Sequence, residues 1–153
     1  MSVTIQFLFN SPDDLRDVGQ RAATTLGVAI KPYLGDPDDL FAHYLGLEMS
    51  LGLCDLENDR NIDFSSYRYN LSTRTAWAAA KRRVYQLEAT VIAAYALMCD
   101  GVARDGMLVY EVQNLLAKYE PTLDGRVFDT VSGNLVVFPG HMEVLRARLT
   151  SGH

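Results

Sequence analysis

Only two cysteines, Cys54 and Cys99, and three histidines, His43, His141 and His153, occur in the 153 residues. That excludes a disulfide framework and leaves no histidine pair at a metal-ligand spacing. No apolar run approaches the roughly 18 residues that a membrane helix needs. Met1 to Asn10 has neither the cationic start nor the long apolar stretch of a secretory signal. The expectation is a cytoplasmic protein with reduced thiols and no membrane contact. There is also no Walker loop, Gly-x-Gly-x-x-Gly, Cys-x-x-Cys or Gly-x-Ser-x-Gly, so no cofactor is implied. What is present is ordinary for a globular chain, with 48% hydrophobic and 22% charged residues. Collagen-like, coiled-coil and wholly disordered classes are excluded. The length fits one domain, residues 1–153, burying roughly 70% of its unfolded surface.

The formal net charge of −5 is unevenly distributed. Residues 1–35 balance. Residues 36–63 carry Asp36, Asp38, Asp39, Glu48, Asp55, Glu57, Asp59 and Asp63 against Arg60 alone, a net −7. Residues 64–104 are net +4, with Arg68, Arg74, Lys81, Arg82, Arg83 and Arg104. Two readings fit the acidic block: a solvated face beside the protein's own basic helix end, or an attractor that steers a basic partner.

Val3, Ile5, Phe7 and Phe9 alternate with polar or outward positions, so 3–9 reads as a strand. Ser11-Pro12-Asp13-Asp14 supplies an N-cap, a proline for the first helical position and acids for the first turn. Leu15, Val18, Ala22 and Leu26 continue at helical spacing until Gly27 stops the helix. Residues 28–33 read as a strand with Pro32 near its end or on an edge, and Asp36-Pro37 as the cap of a helical turn through about Ala42. Leu45, Leu47, Met49, Leu51 and Leu53 alternate with small or polar residues, predicting a strand over 45–54, with Gly46 and Gly52 leaving room for a neighbouring backbone, a bulge or a partner. Tyr67, Tyr69, Leu71 and Thr73 share one face of a strand over 64–73 that pairs with it as an antiparallel hairpin.

Trp77, Ala80, Val84, Leu87, Val91, Ala94 and Met98 predict the main helix over 76–99, with a break allowed at Arg83 to Gln86. Met107 to Val112 reads as a short strand and Gln113 to Tyr119 as a helical turn. Val127 to Phe138 reads as a hairpin turning at Gly133-Asn134, and Met142, Leu145 and Leu149 as a final helix. The fold expected is α+β, a mainly antiparallel sheet packed against one long central helix and shorter flanking helices.

Candidate chemistry is sparse. Asp55, Glu57, Asp59, Asn61 and Asp63 alternate like calcium ligands, but Arg60 and Ser66 stand where an EF-hand loop needs its glycine and bidentate glutamate, so no metal is expected. Tyr67-Arg68-Tyr69, Trp77, Lys81-Arg82-Arg83 and Tyr85 form the one basic and aromatic concentration. The aromatics share core positions and the whole chain is acidic, which disfavours nucleic acid. Cys99 reads as a buried, inert thiol, and no catalytic residue is assigned. A thiol–imidazole pair of Cys54 with His43, or a carboxylate meeting His43 or His141, would be the route to a small enzyme or ligand-binding protein.

The stretches Leu45-Gly46-Leu47-Glu48-Met49-Ser50-Leu51-Gly52, Phe64-Ser65-Ser66-Tyr67-Arg68-Tyr69 and Phe128-Asp129-Thr130-Val131-Ser132-Gly133 resemble small bacterial α+β proteins, many of them immunity proteins of toxin systems. The resemblance implies a stoichiometric binder that blocks a toxin, acidic where the toxin is a basic nuclease. It assigns no residue a role. The reading drawn is a protein-binding module whose partner, a basic toxin domain, meets Asp36, Asp38, Asp39, Asp55, Glu57, Asp59 and Asp63. The alternatives are the His/carboxylate enzyme or ligand-binding protein and a homo-oligomer built on an exposed strand edge.

Overall fold

The computed structural model describes residues 4–55, 64–75, 80–110, 114–119, 127–130 and 135–137. Among these residues nine strands, β1 (Thr4–Phe9), β2 (Lys31–Tyr33), β3 (Asp36–Tyr44), β4 (Leu47–Leu53), β5 (Tyr69–Arg74), β6 (Gly106–Tyr110), β7 (Asn114–Tyr119), β8 (Val127–Thr130) and β9 (Leu135–Val137), and two helices, α1 (Leu15–Leu26) and α2 (Ala80–Cys99), give an α+β fold. The sheet order is β2-β3-β4-β5-β1-β6-β7-β8-β9. Every neighbouring pair is antiparallel.

The alternation in the sequence is realised as two apolar faces. Ile5, Phe7 and Phe9 of β1, Met49 and Leu51 of β4, and Tyr69 and Leu71 of β5 pack with Val18 and Ala22 of α1 and Val91, Ala94 and Leu97 of α2. A smaller cluster, Leu8, Phe64, Tyr67, Met107 and Val109, lies across the sheet from the helices. Tyr67 and Tyr69 therefore sit on opposite sides of the sheet rather than sharing a face. The strand begins only at Tyr69, so the period-2 pattern does not extend back to Tyr67.

Local chemistry sets the element ends. Asp14, not Ser11, caps α1, its carboxylate accepting from the Asp17 N–H at 2.9 Å. Gly27 closes the helix with φ 68°, and the Val28 N–H reaches the Ala23 carbonyl at 3.1 Å. A buried polar link pins α2 to β5. The Thr73 and Thr90 hydroxyls are 2.7 Å apart, and the Gln86 amide donates to the Thr73 carbonyl at 2.7 Å. No break interrupts α2 at Arg83 to Gln86.

Two expected helical turns are strands. Residues 36–44 form β3 because the alternation of buried Leu40, Ala42 and Tyr44 with more exposed Asp39, Phe41 and His43 outweighs the capping signal at Asp36-Pro37. Residues 114–119 form β7, paired with β6 through a register shift at Leu108/Val109. The hairpins β4–β5 and β8–β9 pair as the sequence predicts. Val3, Trp77, the turn at Gly133-Asn134 and the final helix at Met142, Leu145 and Leu149 lie outside the described residues.

Candidate functional site

The strands β2, β3 and β4 leave one end of the sheet distinctive. Antiparallel pairing sets the β2–β3 turn and the end of β4 side by side, since Asp39 is in register with Gly52. Gly52 permits this approach: a Cβ there would stand 3.1 Å from the Asp38 carbonyl oxygen. Asp36, Asp38 and Asp55 are exposed at this end and Asp39 is half-buried, so these four aspartates fall at the same end of the sheet. Glu57, Asp59 and Asp63 lie outside the described residues. Among the described residues the ion pairs are Arg21–Asp13 and Arg74–Glu48, which leaves these four aspartates without one. The Asp36 carboxylate accepts from the Asp38 N–H at 2.9 Å, shaping the turn rather than neutralising charge.

The turn itself carries a feature the charge pattern did not reveal. Leu34 has φ 52° and Gly35 φ 80°, both left-handed, as a two-residue hairpin turn of this type requires. Asn or Gly is the usual first residue, because a branched side chain at positive φ costs roughly 1–2 kcal/mol. Here it is leucine, and it is 89% exposed. Tyr33 beside it is 47% exposed, and Leu53, at the same end of the sheet, 50%. The β3–β4 turn at the opposite end repeats the pattern with Leu45 (φ 51°) and Gly46 (φ 80°). Gly46 thus serves the turn rather than a neighbouring strand. The signal was readable as Tyr33-Leu34-Gly35-Asp36 and Tyr44-Leu45-Gly46-Leu47, two Leu-Gly pairs at turn positions.

On the side of the sheet away from the helices a groove of about 440 Å³ borders this acidic end. The β2–β3 register shifts between Pro32 and Tyr33, and the Tyr33 ring lies 5.5 Å from Phe41, which meets His43 edge-on at 5.1 Å. Ser50 and Ser72, hydroxyls 3.1 Å apart, line the groove between this aromatic wall and the Arg74–Glu48 pair. Arg74 donates twice to one Glu48 oxygen, at 3.0 and 2.7 Å. His43 is in register with Glu48, but that carboxylate turns to Arg74.

Cys54 and Cys99 are both half-buried, so Cys99 is less enclosed than its place in an apolar helix predicts. Among the described residues no three His, Cys, Asp or Glu side chains converge to hold a metal ion, and no helix is long and apolar enough to cross a membrane. No protein-family model, curated protein or solved structure matches the chain.

Proposed function

We propose that the protein is a protein-binding module of the toxin-immunity type, which neutralises a basic toxin domain in the cytoplasm by stoichiometric binding through the β2–β3 end of its sheet. The observation that carries this reading is Leu34. An 89% exposed leucine covers no core and offers a partner an apolar anchor, whereas its φ of 52° is turn geometry that Leu45 shares. Tyr33 beside it is exposed as well, and Asp36, Asp38 and Asp55 are exposed at the same end of the sheet, so an apolar tip stands among charged residues as in a binding patch with a charged rim. The carboxylates steer a cationic partner and Leu34 holds it once docked.

The test begins with capture of the partner from the source organism and its purification. Association is then followed for wild type and for the triple variant Asp36→Asn, Asp38→Asn, Asp55→Asn at low and high salt. The variant associates more slowly at low salt, and the difference shrinks as salt screens the field. Equal association rates at both salts would overturn the assignment of this end as the docking face.

A further inference from the structure

We propose that the groove beside the acidic end is the receptor for one arginine side chain of that partner. This inference rests on the docking reading above and adds to it the identity of the anchoring residue. Asp39, two residues before Phe41 on β3, lines the groove together with Glu48 and Arg74. Two carboxylates therefore face one guanidinium. Because Arg74 is held by Glu48 at 3.0 and 2.7 Å, the groove charge without an ion pair among the described residues is that of Asp39, and one further cation balances the groove. Lys31, in register with Phe41, is exposed and stands outside the groove lining.

The aromatic wall selects the kind of cation. Tyr33 and Phe41 lie 5.5 Å apart with their planes tilted by 46°, which leaves ring surface facing the groove for a planar cation to stack on. A guanidinium does this while presenting paired N–H donors to a carboxylate. An ammonium is a compact, strongly hydrated charge and uses the wall less well. Small Ser50 and Ser72 keep the middle of the groove low enough for the side chain to lie along it, and their hydroxyls offer acceptors to the remaining N–H groups. The groove holds about 440 Å³, room for a side chain presented by a docked partner.

The experiment is an amide-resolved NMR titration of the full chain with the blocked tripeptide acetyl-Gly-Arg-Gly-amide and its citrulline counterpart, which has the same shape without the charge. Shifts confined to Asp39, Phe41, Ser50 and Ser72 are expected for the arginine peptide, with roughly tenfold weaker binding for citrulline and for Asp39→Asn. Phe41→Leu keeps apolar bulk and removes the ring face, and is expected to weaken binding severalfold. The amide spectrum of each variant reports whether it is folded. Equal affinity for the two peptides, shifts centred elsewhere, an unchanged Asp39→Asn variant, or tighter binding of a neutral saccharide probe would each overturn the proposal. If the arginine peptide fails while the triple hairpin variant still slows partner association, the groove assignment alone falls. If the hairpin variant also has no effect, the docking reading falls with it.

Discussion

The Tyr69 hydroxyl is fully enclosed and donates to the Asp13 carbonyl at 2.5 Å, tying the first turn before α1 to the middle of the sheet. Burial raises its pKa above the ordinary tyrosine value. The neighbouring Arg68 guanidinium, 5.2 Å over the ring, pulls the other way, and Asp14 and Asp13 add smaller upward pushes. A group whose folded pKa is raised contributes its stability in full below the unfolded pKa of about 10 and loses it as pH rises through the folded value. Tyr69→Phe is therefore expected to cost about 1 kcal/mol near neutral pH through the lost hydrogen bond, and the gap to wild type to narrow above pH ~10. Urea midpoints for both proteins on either side of that pH check it, and a constant gap would contradict the burial argument. Asn10 plays a comparable part without titrating: its side chain donates to the Ser66 carbonyl at 2.7 Å and to Asp105 at 3.1 Å, and accepts from the Arg68 N–H at 3.0 Å. Gly106 is equally constrained, because a Cβ there would stand 2.0 Å from the buried Phe7 ring.

Among the elements, β4 carries the plainest two-faced pattern. Leu47, Met49 and Leu51 are buried towards the helices and Ser50 faces the groove. Leu51→Ala is expected to cost about 2–5 kcal/mol, whereas Ser50→Ala loses one half-buried hydroxyl contact and about 1 kcal/mol or less. Chemical denaturation distinguishes them, and equal small losses would contradict the register of β4. Strands such as β1, β4 and β5 were legible because alternating apolar residues dominate their local sequence. At β3 the turn chemistry of Asp36-Pro37 competed with an alternation that begins only at Leu40. At β7 the adjacent Leu115, Leu116 and Ala117 have no period of two, and pairing with β6 decides the conformation. The acidic residues of the site were legible as composition. Leu34 was not, because a lone leucine reads as core until its φ and exposure are known, and the groove draws its lining from β1 to β5, which no local pattern brings together.

Across the whole molecule, the first strand of the chain lies between β5 and β6, so the centre of the sheet is closed by contacts distant in sequence. The charge asymmetry maps onto this order. The β2–β3–β4 side bears Asp36, Asp38, Asp39 and Asp55 at one end, with the Leu34 turn at its tip. The matching Leu45 turn stands at the other end of the same strands, which supplies an internal control. Leu34→Asn and Leu45→Asn each relieve a leucine at positive φ and are both expected to stabilise the fold by about 1 kcal/mol. The central claim is that Leu34 is kept for contact, and the most direct measurement is thermal stability together with partner affinity for these two variants. Both are predicted to melt a few degrees higher than wild type, while Leu34→Asn alone loses affinity by roughly tenfold or more. A Leu34→Asn protein that binds the partner as tightly as wild type would contradict the account.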